Sequence, residues 1–153
     1  MNLYCQDNHR TAEQLAEMQR LEAAGICLFC PDGLSQNGRD RALWRTSHWS
    51  VMPNEFPYEG TSLHLMLIPH QHVGDLIDLA PPAQQDFWNV LAMVHERYDL
   101  RYYGLGARNG DCRYTGATIA HLHVHILVAD VTTPAEIPVR MRFSSRPAPG
   151  EPG

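Results

Sequence analysis

Three histidines occur at alternate positions of the short apolar segment "HLHVHILVA". His121, His123 and His125 are each separated by a single apolar residue. Side chains alternate between the two faces of a β-strand, so this spacing predicts three imidazoles in a row on one face. Unpartnered buried imidazoles would cost on the order of 1–3 kcal/mol each, so we expect this face to open on a ligand, a metal or a hydrogen-bond chain.

Two chemistries are compatible with such a row of imidazoles. All three could bind a catalytic zinc ion, since neutral imidazole is a common zinc ligand. Alternatively, one imidazole could attack phosphorus while its neighbours fix its tautomer and transfer protons. The preceding "GAT", residues 116–118, offers a glycine, backbone amides and a hydroxyl to a phosphate. This feature favours phosphorus chemistry, and the zinc hydrolase remains an alternative.

The cysteines predict a metal site rather than a disulfide framework. Cys27 and Cys30 have the spacing with which a loop offers two thiolates to zinc. Four cysteines in the chain are too few and too clustered for a secreted disulfide scaffold. We therefore expect a reducing compartment, the cytoplasm, with free thiols or metal-bound thiolates. Cys5 and Cys112 receive no predicted role.

Length and composition limit the possible partners. A chain of 153 residues with 44% hydrophobic content has the size of one domain with its own core. The net charge of -5 and the lack of a Lys/Arg run argue against a nucleic-acid partner. No apolar stretch has the length of a membrane span, and the polar start does not resemble a signal peptide. We therefore expect a soluble protein that does not bind membranes and whose phosphate contacts are local.

Hydrophobic periodicity and turn residues predict the elements that position these groups. The strongest helix signal covers residues 82–100, and a shorter amphipathic helix is expected over residues 11–24, capped by Thr11. Strands are expected within residues 42–54 (a hairpin), 62–69, 101–110, 121–129 (the central strand) and 137–144. Three regions follow from this pattern: a helical extension over 1–24, a domain over 25–143 and a disordered tail over 144–153.

Several of these motifs together resemble the histidine triad (HIT) family of nucleotide hydrolases and transferases. "HLHVHIL" fits the family pattern His-x-His-x-His-x-x, in which x is apolar. "NEFPYEGTSLHLMLIPHQH" is similar to the family segment in which a His opens an apolar strand, and "CLFC" resembles a motif of many bacterial members. The resemblance covers roughly residues 25–130. It implies an α+β fold with about five antiparallel strands, a long helix packed on the sheet, and a homodimer formed through that helix and an edge strand.

The resemblance also implies roles for individual residues. His123, the middle histidine, would attack the α-phosphorus of a nucleotide to give a nucleotidyl-histidine, which water or phosphate then resolves. His125 would hold phosphate oxygens and assist the leaving group. The remaining nucleotide contacts would be made by Asn54 (ribose), Asn109, Gly116 and Thr118 (phosphate). Ala117 stands where many members have Gln, which leaves the leaving-group preference open.

The same resemblance implies a structural zinc site. Members with the Cys-x-x-Cys motif complete a Cys2His2 site with the His that opens the apolar strand and the first triad His. The expected ligands are therefore Cys27, Cys30, His64 and His121, and no organic cofactor is expected. His70 and His72 are expected to be surface residues.

The predicted function is a nucleotidyl hydrolase or transferase that acts on the α-phosphate of an adenine nucleotide. The substrate would be a dinucleoside polyphosphate or a nucleoside phosphoramidate, and the Asn-x-Phe-Pro-Tyr stretch looks closest to the branch that acts on diadenosine polyphosphates. One alternative is a slow or inactive nucleotide-binding or interaction protein, which would not trap a labelled nucleotide. The other is the zinc-dependent hydrolase with all three triad histidines on the metal, which a chelator would inhibit.

Overall fold

The fold is built on one antiparallel sheet, seen in a computed structural model that describes residues 2–132 and 137–145. Its strands are β1 (Trp44–Arg45), β2 (Trp49–Pro53), β3 (Thr61–Pro69), β4 (Gly104–Ala107) and β5 (Val124–Ala129). They lie in the order β1-β2-β3-β5-β4, with every neighbouring pair antiparallel. The predicted hairpin is confirmed as β1 and β2, and the strand predicted over 62–69 is confirmed as β3.

The helices are α1 (Ala12–Ala23), α2 (Pro31–Gln36), α3 (Pro81–Arg97) and α4 (Cys112–Thr115). α1 begins after Thr11, whose hydroxyl accepts a hydrogen bond from the Gln14 amide at 3.1 Å, as the capping pattern predicts. Among the described residues, no helix is both long and apolar enough to cross a membrane. The α+β class with a long helix and a short N-terminal helix is confirmed.

One face of the sheet packs against α3 and forms the larger core. The helix contributes buried Val90, Leu91 and Val94, which lie on its predicted apolar face. The apolar residues between the triad histidines enter the same core: Leu122, Val124 and Ile126. Burial of each of these side chains stabilises the fold by roughly 1.5–3 kcal/mol, and it orients the histidines toward the opposite face.

The opposite face of the sheet is covered by the N-terminal segment. Met18 and Leu21 of α1 pack with Phe29, Met66 and Ile68 in a second core. This segment also carries a disulfide between Cys5 and Cys112, which are 107 residues apart in sequence. The expectation of free thiols is therefore wrong for these two cysteines, because the fold brings the N-terminal segment against the loop before the triad. Cys27 and Cys30 are free.

The expected strand over 137–144 is wrong. Residues 137–145 run across the sheet without joining a ladder of the described strands, and we call them the C-terminal strap. A Cβ at Gly106 would lie 2.3 Å from Met141 Sδ, so the strap packs on the face of β4 instead of along its edge. The predicted disordered tail lies mostly beyond Ser145, outside the described residues, and the three-region division stays a prediction.

The triad segment is positioned differently from the expectation in two respects. β5 begins at Val124, so His125 lies in the strand while His121 and His123 lie in the extended segment before it. β3, not β5, is the central strand, and β5 lies between β3 and β4. The alternation of faces nevertheless holds through the whole segment, because Leu122 is fully buried in the α3 core.

Candidate active site

A cavity of about 150 Å³ opens on the face of the sheet that carries the N-terminal segment. Part of its wall is apolar, formed by Leu28, Phe29, Met52 and Met66, among others, and the rest is polar or charged. Most of the predicted nucleotide-site residues line it: Asn54, Gly116, Thr118, His123 and His125. A cavity that combines an apolar wall with convergent polar groups is suited to a small ligand with a flat apolar part and a charged part.

The hydrogen bond of His123 fixes the tautomer of its ring. Nδ1 lies 2.9 Å from the main-chain oxygen of His121, so the Nδ1–H group donates to that carbonyl. The electron pair of a neutral ring is then on Nε2. Burial lowers the pKa of His123 to about 4, with a smaller contribution from Arg108, and the ring is therefore neutral at pH 7. His123 has the chemistry of a nitrogen nucleophile.

His125 carries its proton on the other side of the ring. The Tyr58 amide donates to His64 Nδ1 at 3.0 Å, so the His64 proton is on Nε2, which lies 2.8 Å from His125 Nδ1. His125 therefore accepts at Nδ1 and holds its own proton at Nε2. That Nε2 atom is buried and has no hydrogen-bond partner within the described part of the chain. Burial, with the nearby positive groups, holds the pKa of His125 well below its ordinary value.

Gly116 and Thr118, from the loop before the triad, line the same cavity, and the Gly116 amide donates to Ser145 Oγ at 3.1 Å. Gly116 ends α4 with φ +78°, a left-handed conformation that favours glycine, and a Cβ there would lie 2.6 Å from the Ser144 main-chain oxygen. Buried Asn8 fixes the loop, because its Nδ2 donates to the carbonyls of Cys112 at 3.0 Å and Ala117 at 2.8 Å. The loop is therefore held by the N-terminal segment on one side and by the C-terminal strap on the other.

Asn109 does not join the cavity, contrary to the expectation. Its side chain is exposed, and its Oδ1 accepts a hydrogen bond from the Leu76 amide at 3.0 Å. The chain leaves β4 at Ala107, and the next residue, Arg108, is the one that lines the cavity. Asn109 therefore supports the segment that leads into α3 instead of contacting the ligand.

Two cysteines and two histidines meet beside the cavity. The group consists of Cys27, Cys30, His72 and His121, whose donor atoms lie within 4.8 Å of one another. Cys27 Sγ lies 3.4 Å from His121 Nδ1, and Cys30 Sγ lies 3.3 Å from His72 Nδ1. Three of the four predicted ligands are present, and His72 stands where His64 was expected.

The register of the sheet explains this correction. β3 pairs antiparallel with β5, with Leu67 opposite Val124 and His64 opposite Leu127. Counting back from Val124, His121 falls beyond the end of β3, where His72 follows Pro69. His64 lies instead beside His125, so it serves the triad and not the cysteines.

The four donors fit a tetrahedral metal ion. His121 Nε2–H donates to the Pro69 carbonyl at 2.8 Å, which leaves Nδ1 free to face the sulfur atoms. Zinc ligands about 2.0–2.3 Å from the ion stand roughly 3.3–3.8 Å apart. The measured separations of 3.2–3.6 Å agree with that geometry. Burial, with Cys27 nearby, raises the pKa of Cys30 to about 12, so a bound cation would be needed to favour two thiolates.

The three triad histidines do not form a metal group together. Within the described residues, the clusters able to hold an ion are the Cys2His2 group and a second one that contains the disulfide sulfurs of Cys5 and Cys112. His121 faces the thiols, whereas His123 and His125 line the cavity. This division disfavours a zinc hydrolase that uses all three imidazoles.

Comparison with known proteins agrees with the geometry. The model of the HIT domain family matches residues 40–131, more than half of the chain. The chain belongs to the HIT family. No curated protein matches this HIT protein.

Solved structures share the fold of this HIT protein at low identity. A hypothetical protein from Leishmania major has a TM-score of 0.57 and 16% identity, over 83% of this chain and 88% of its own. A hypothetical histidine triad nucleotide-binding protein from Sulfolobus tokodaii strain7 has a TM-score of 0.55 and 16% identity, over 80% and 83% respectively. A HIT family hydrolase from Clostridium thermocellum has a TM-score of 0.51 and 17% identity, over 68% of this chain and 92% of its own. These matches establish the fold.

Sequence reasoning missed several residues of the HIT site. Tyr58 contacts both His64 and His125, with ring centroids 4.5 and 5.5 Å away. Arg10 lines the cavity from before α1, and no local pattern points to it. The sequence did contain a signal for His72, which is the second His of "PHQH". Antiparallel pairing of the two histidine segments places this residue near His121.

Proposed function

We propose that this HIT-family protein is a nucleotidyl hydrolase or transferase that acts on the α-phosphate of an adenine nucleotide. The observation that carries the proposal is the pair of opposite tautomers in the cavity. His123 has its electron pair on Nε2, while the buried Nε2–H of His125 has no partner among the described residues. One nitrogen is ready to attack and the other to donate a proton or a hydrogen bond, which is the division that nucleophilic catalysis requires.

The proposed reaction has two displacements. His123 Nε2 forms a bond to the α-phosphorus, and the bond from that phosphorus to the leaving group breaks, with the electron pair going to the leaving atom. His125 Nε2–H donates a hydrogen bond to the phosphate or gives its proton to the leaving atom, and the water or phosphate that enters in the second displacement returns a proton to Nε2. His64 Nε2–H stays hydrogen-bonded to His125 Nδ1 throughout. Water or phosphate then attacks the nucleotidyl-histidine and frees His123. Asn54 would contact the ribose, and Gly116 and Thr118 the phosphate.

The metal and the assembly are part of the same proposal. Zinc would bind Cys27, Cys30, His72 and His121, where four protein donors leave no open position, so it would hold the fold and not the substrate. A homodimer through α3 and the edge of β4 is proposed, without a nucleic-acid partner. We propose a cytoplasmic location, because the thiols of Cys27 and Cys30 are free, as in a reducing compartment. The Cys5–Cys112 disulfide is the observation against this location, because disulfides are typical of oxidising compartments.

The proposal is tested by trapping the intermediate. Wild-type protein mixed with diadenosine triphosphate or adenosine 5′-phosphoramidate and quenched in base should carry one nucleotidyl group on the peptide that contains His123. His123→Ala should lose that adduct and lower kcat by on the order of a thousandfold or more, with nucleotide affinity within about tenfold. His48→Ala, a change at a half-buried histidine of the β1–β2 turn that lies outside the cavity and away from β4, is the matched control and should behave as wild type.

Two outcomes would contradict this mechanism. Near-native turnover by His123→Ala would remove His123 as the nucleophile. Tight nucleotide binding by the wild type without adduct or turnover would instead support the nucleotide-binding alternative. The names of the Sulfolobus and Clostridium structures, nucleotide-binding protein and hydrolase, are consistent with either activity class.

A further inference from the structure

A second cavity of about 400 Å³ adjoins the proposed nucleotide site. Four arginines line it, and they come from distant parts of the chain: Arg10, Arg108, Arg140 and Arg142. The two cavities share wall residues Arg10, Tyr58, Arg108 and Gly116. A ligand held by the triad in the first cavity could therefore extend directly into the second.

The charge of this arginine pocket contrasts with the rest of the protein. The chain has a net charge of -5, and all twelve of its Lys and Arg residues are arginine. Six described arginines elsewhere form ion pairs with carboxylates. The four pocket arginines form none within the described residues. Asp7 is the one carboxylate in the described chain that lines the pocket, and Glu59 lies in an adjoining depression with Arg10 and Arg140.

The pocket is held in place around Tyr58, beside the triad. Arg108 donates from Nε to the Arg142 main-chain oxygen at 2.7 Å and from Nη2 to the Tyr58 hydroxyl at 3.3 Å. The Arg10 guanidinium lies 5.5 Å from the centre of the Tyr58 ring, which stacks on His125. The positive charges of Arg10 and Arg108 are close enough to contribute to the lowered pKa of His125.

Clustered guanidinium groups repel one another unless an anion lies between them. Each group presents a planar set of N–H donors that matches phosphate oxygens in pairs. Four such groups around one small pocket match a chain of linked phosphates better than a single carboxylate. The four groups surround one cavity and do not form a stripe along the surface, which fits a small polyanion and not a nucleic-acid backbone.

We infer that Arg10, Arg108, Arg140 and Arg142 bind the polyphosphate part of the nucleotide, on the leaving-group side of the α-phosphorus. The inference rests on the proposed function, because it names the leaving group of that reaction. When the bond between the α-phosphorus and the bridging oxygen breaks, its electron pair stays on the departing polyphosphate, whose added negative charge the guanidinium groups stabilise. An amine leaving group needs a proton from His125 instead and gains little from the pocket.

Two substrates with the same adenylyl group and different leaving groups test the inference. Arg140→Ala and Arg142→Ala change exposed side chains that line the second cavity and not the first, and their backbone contacts stay intact. Each should lower kcat/KM for diadenosine triphosphate by about tenfold, the effect of one charge-assisted hydrogen bond, and that for adenosine 5′-phosphoramidate by less than about twofold. Arg101→Ala, at an exposed arginine paired with Asp99, is the matched control. Equal losses on both substrates, or no loss on the triphosphate, would overturn the inference.

A binding measurement separates this inference from the proposed function. If the wild type neither turns over nor forms an adduct, the proposed function fails, but calorimetry with AMP, ATP and inorganic tripolyphosphate still tests the pocket. The wild type should bind ATP at least about tenfold more tightly than AMP, and the Arg140→Ala/Arg142→Ala variant should lose that preference. A preference for ATP that survives in the variant would overturn the inference. Tighter binding of tripolyphosphate than of ATP would also overturn it, because the ligand would then be free polyphosphate.

Discussion

His64 connects the triad to the rest of the protein through a single imidazole. It is 5% exposed, accepts from the Tyr58 amide and donates to His125. Burial is the main cause that lowers its pKa to about 4, and Arg10 and His123 add to the effect. Because the ring is neutral in the folded protein, the direction of the hydrogen bond to His125, and with it the proton on His125 Nε2, is fixed at neutral pH.

The lowered pKa of His64 predicts a loss of stability in acid. The unfolded chain binds a proton near the ordinary pKa of about 6.5, whereas folded His64 does not until about pH 4. The contribution of His64 to the free energy of unfolding is therefore fully present above pH 6.5. It decreases by up to about 3 kcal/mol as the pH falls toward and below 4. Urea unfolding of the wild type and of His64→Gln between pH 7.5 and 4.5 should show the shallower dependence in the variant.

A control variant keeps this result specific. His48→Gln changes an imidazole at the β1–β2 turn, away from the triad and from β4, and should follow the wild-type pH dependence. Metal loss in acid affects all three proteins, so it cancels in the comparison. Parallel curves for wild type and His64→Gln would show that His64 does not carry the predicted proton linkage.

At the scale of elements, the metal group joins three segments that are far apart in sequence. Cys27 and Cys30 immediately precede α2, His72 follows β3, and His121 precedes β5. An ion at this position would connect the N-terminal layer to the sheet beside the cavity that His123 and His125 line. Its binding free energy would add to the stability of the folded protein.

Zinc content distinguishes the two possible ligand sets. Protein purified without added metal should contain about one zinc per chain, and Cys27→Ser/Cys30→Ser should contain almost none. His72→Ala should lose most of the zinc, whereas His64→Ala should keep it, because His64 faces His125. Elemental analysis measures the content, and the melting temperature should fall with it. Zinc kept in His72→Ala and lost in His64→Ala would restore the ligand set expected from the sequence.

The two histidines show how far the sequence could predict the site. Alternation along the segment was enough to separate His121, His123 and His125 from their apolar neighbours, and the structure shows that the apolar neighbours face α3. The choice between His64 and His72 depends on the register of β3 against β5, which is a long-range property. The Cys5–Cys112 disulfide and the position of Arg10 depend on the path of the N-terminal segment and had no local signal.

At the scale of the whole molecule, β4 forms one edge of the sheet. Among the described strands it pairs with β5 alone, and Leu105 on β4 is 46% exposed. Tyr103 lies just before β4 and contacts His95 of α3, with ring centroids 6.0 Å apart, so strand edge and helix form a continuous surface. Two copies related by a twofold axis could cover this surface and pair their β4 edges.

The proposed homodimer gives a prediction with a closely matched control. Light scattering should give twice the 17.3 kDa mass of the chain, and Leu105→Glu should weaken the dimer by at least about tenfold because it buries a charge at the interface. Leu43→Glu changes a residue of nearly equal exposure, 47%, at the opposite edge of the sheet and should stay dimeric. A monomeric wild type, or dissociation by Leu43→Glu alone, would contradict the assembly through β4.

The strand order also governs when the site can form during synthesis. β5 is the last of the five strands along the chain but lies between β3 and β4, which do not pair with each other. While the chain emerges from the ribosome, β1 to β3 can assemble, but β4 has no neighbour in the sheet until residues 124–129 arrive. The histidine segment of the proposed active site is therefore also the piece that closes the sheet, and a shorter nascent chain lacks part of the proposed nucleotide site.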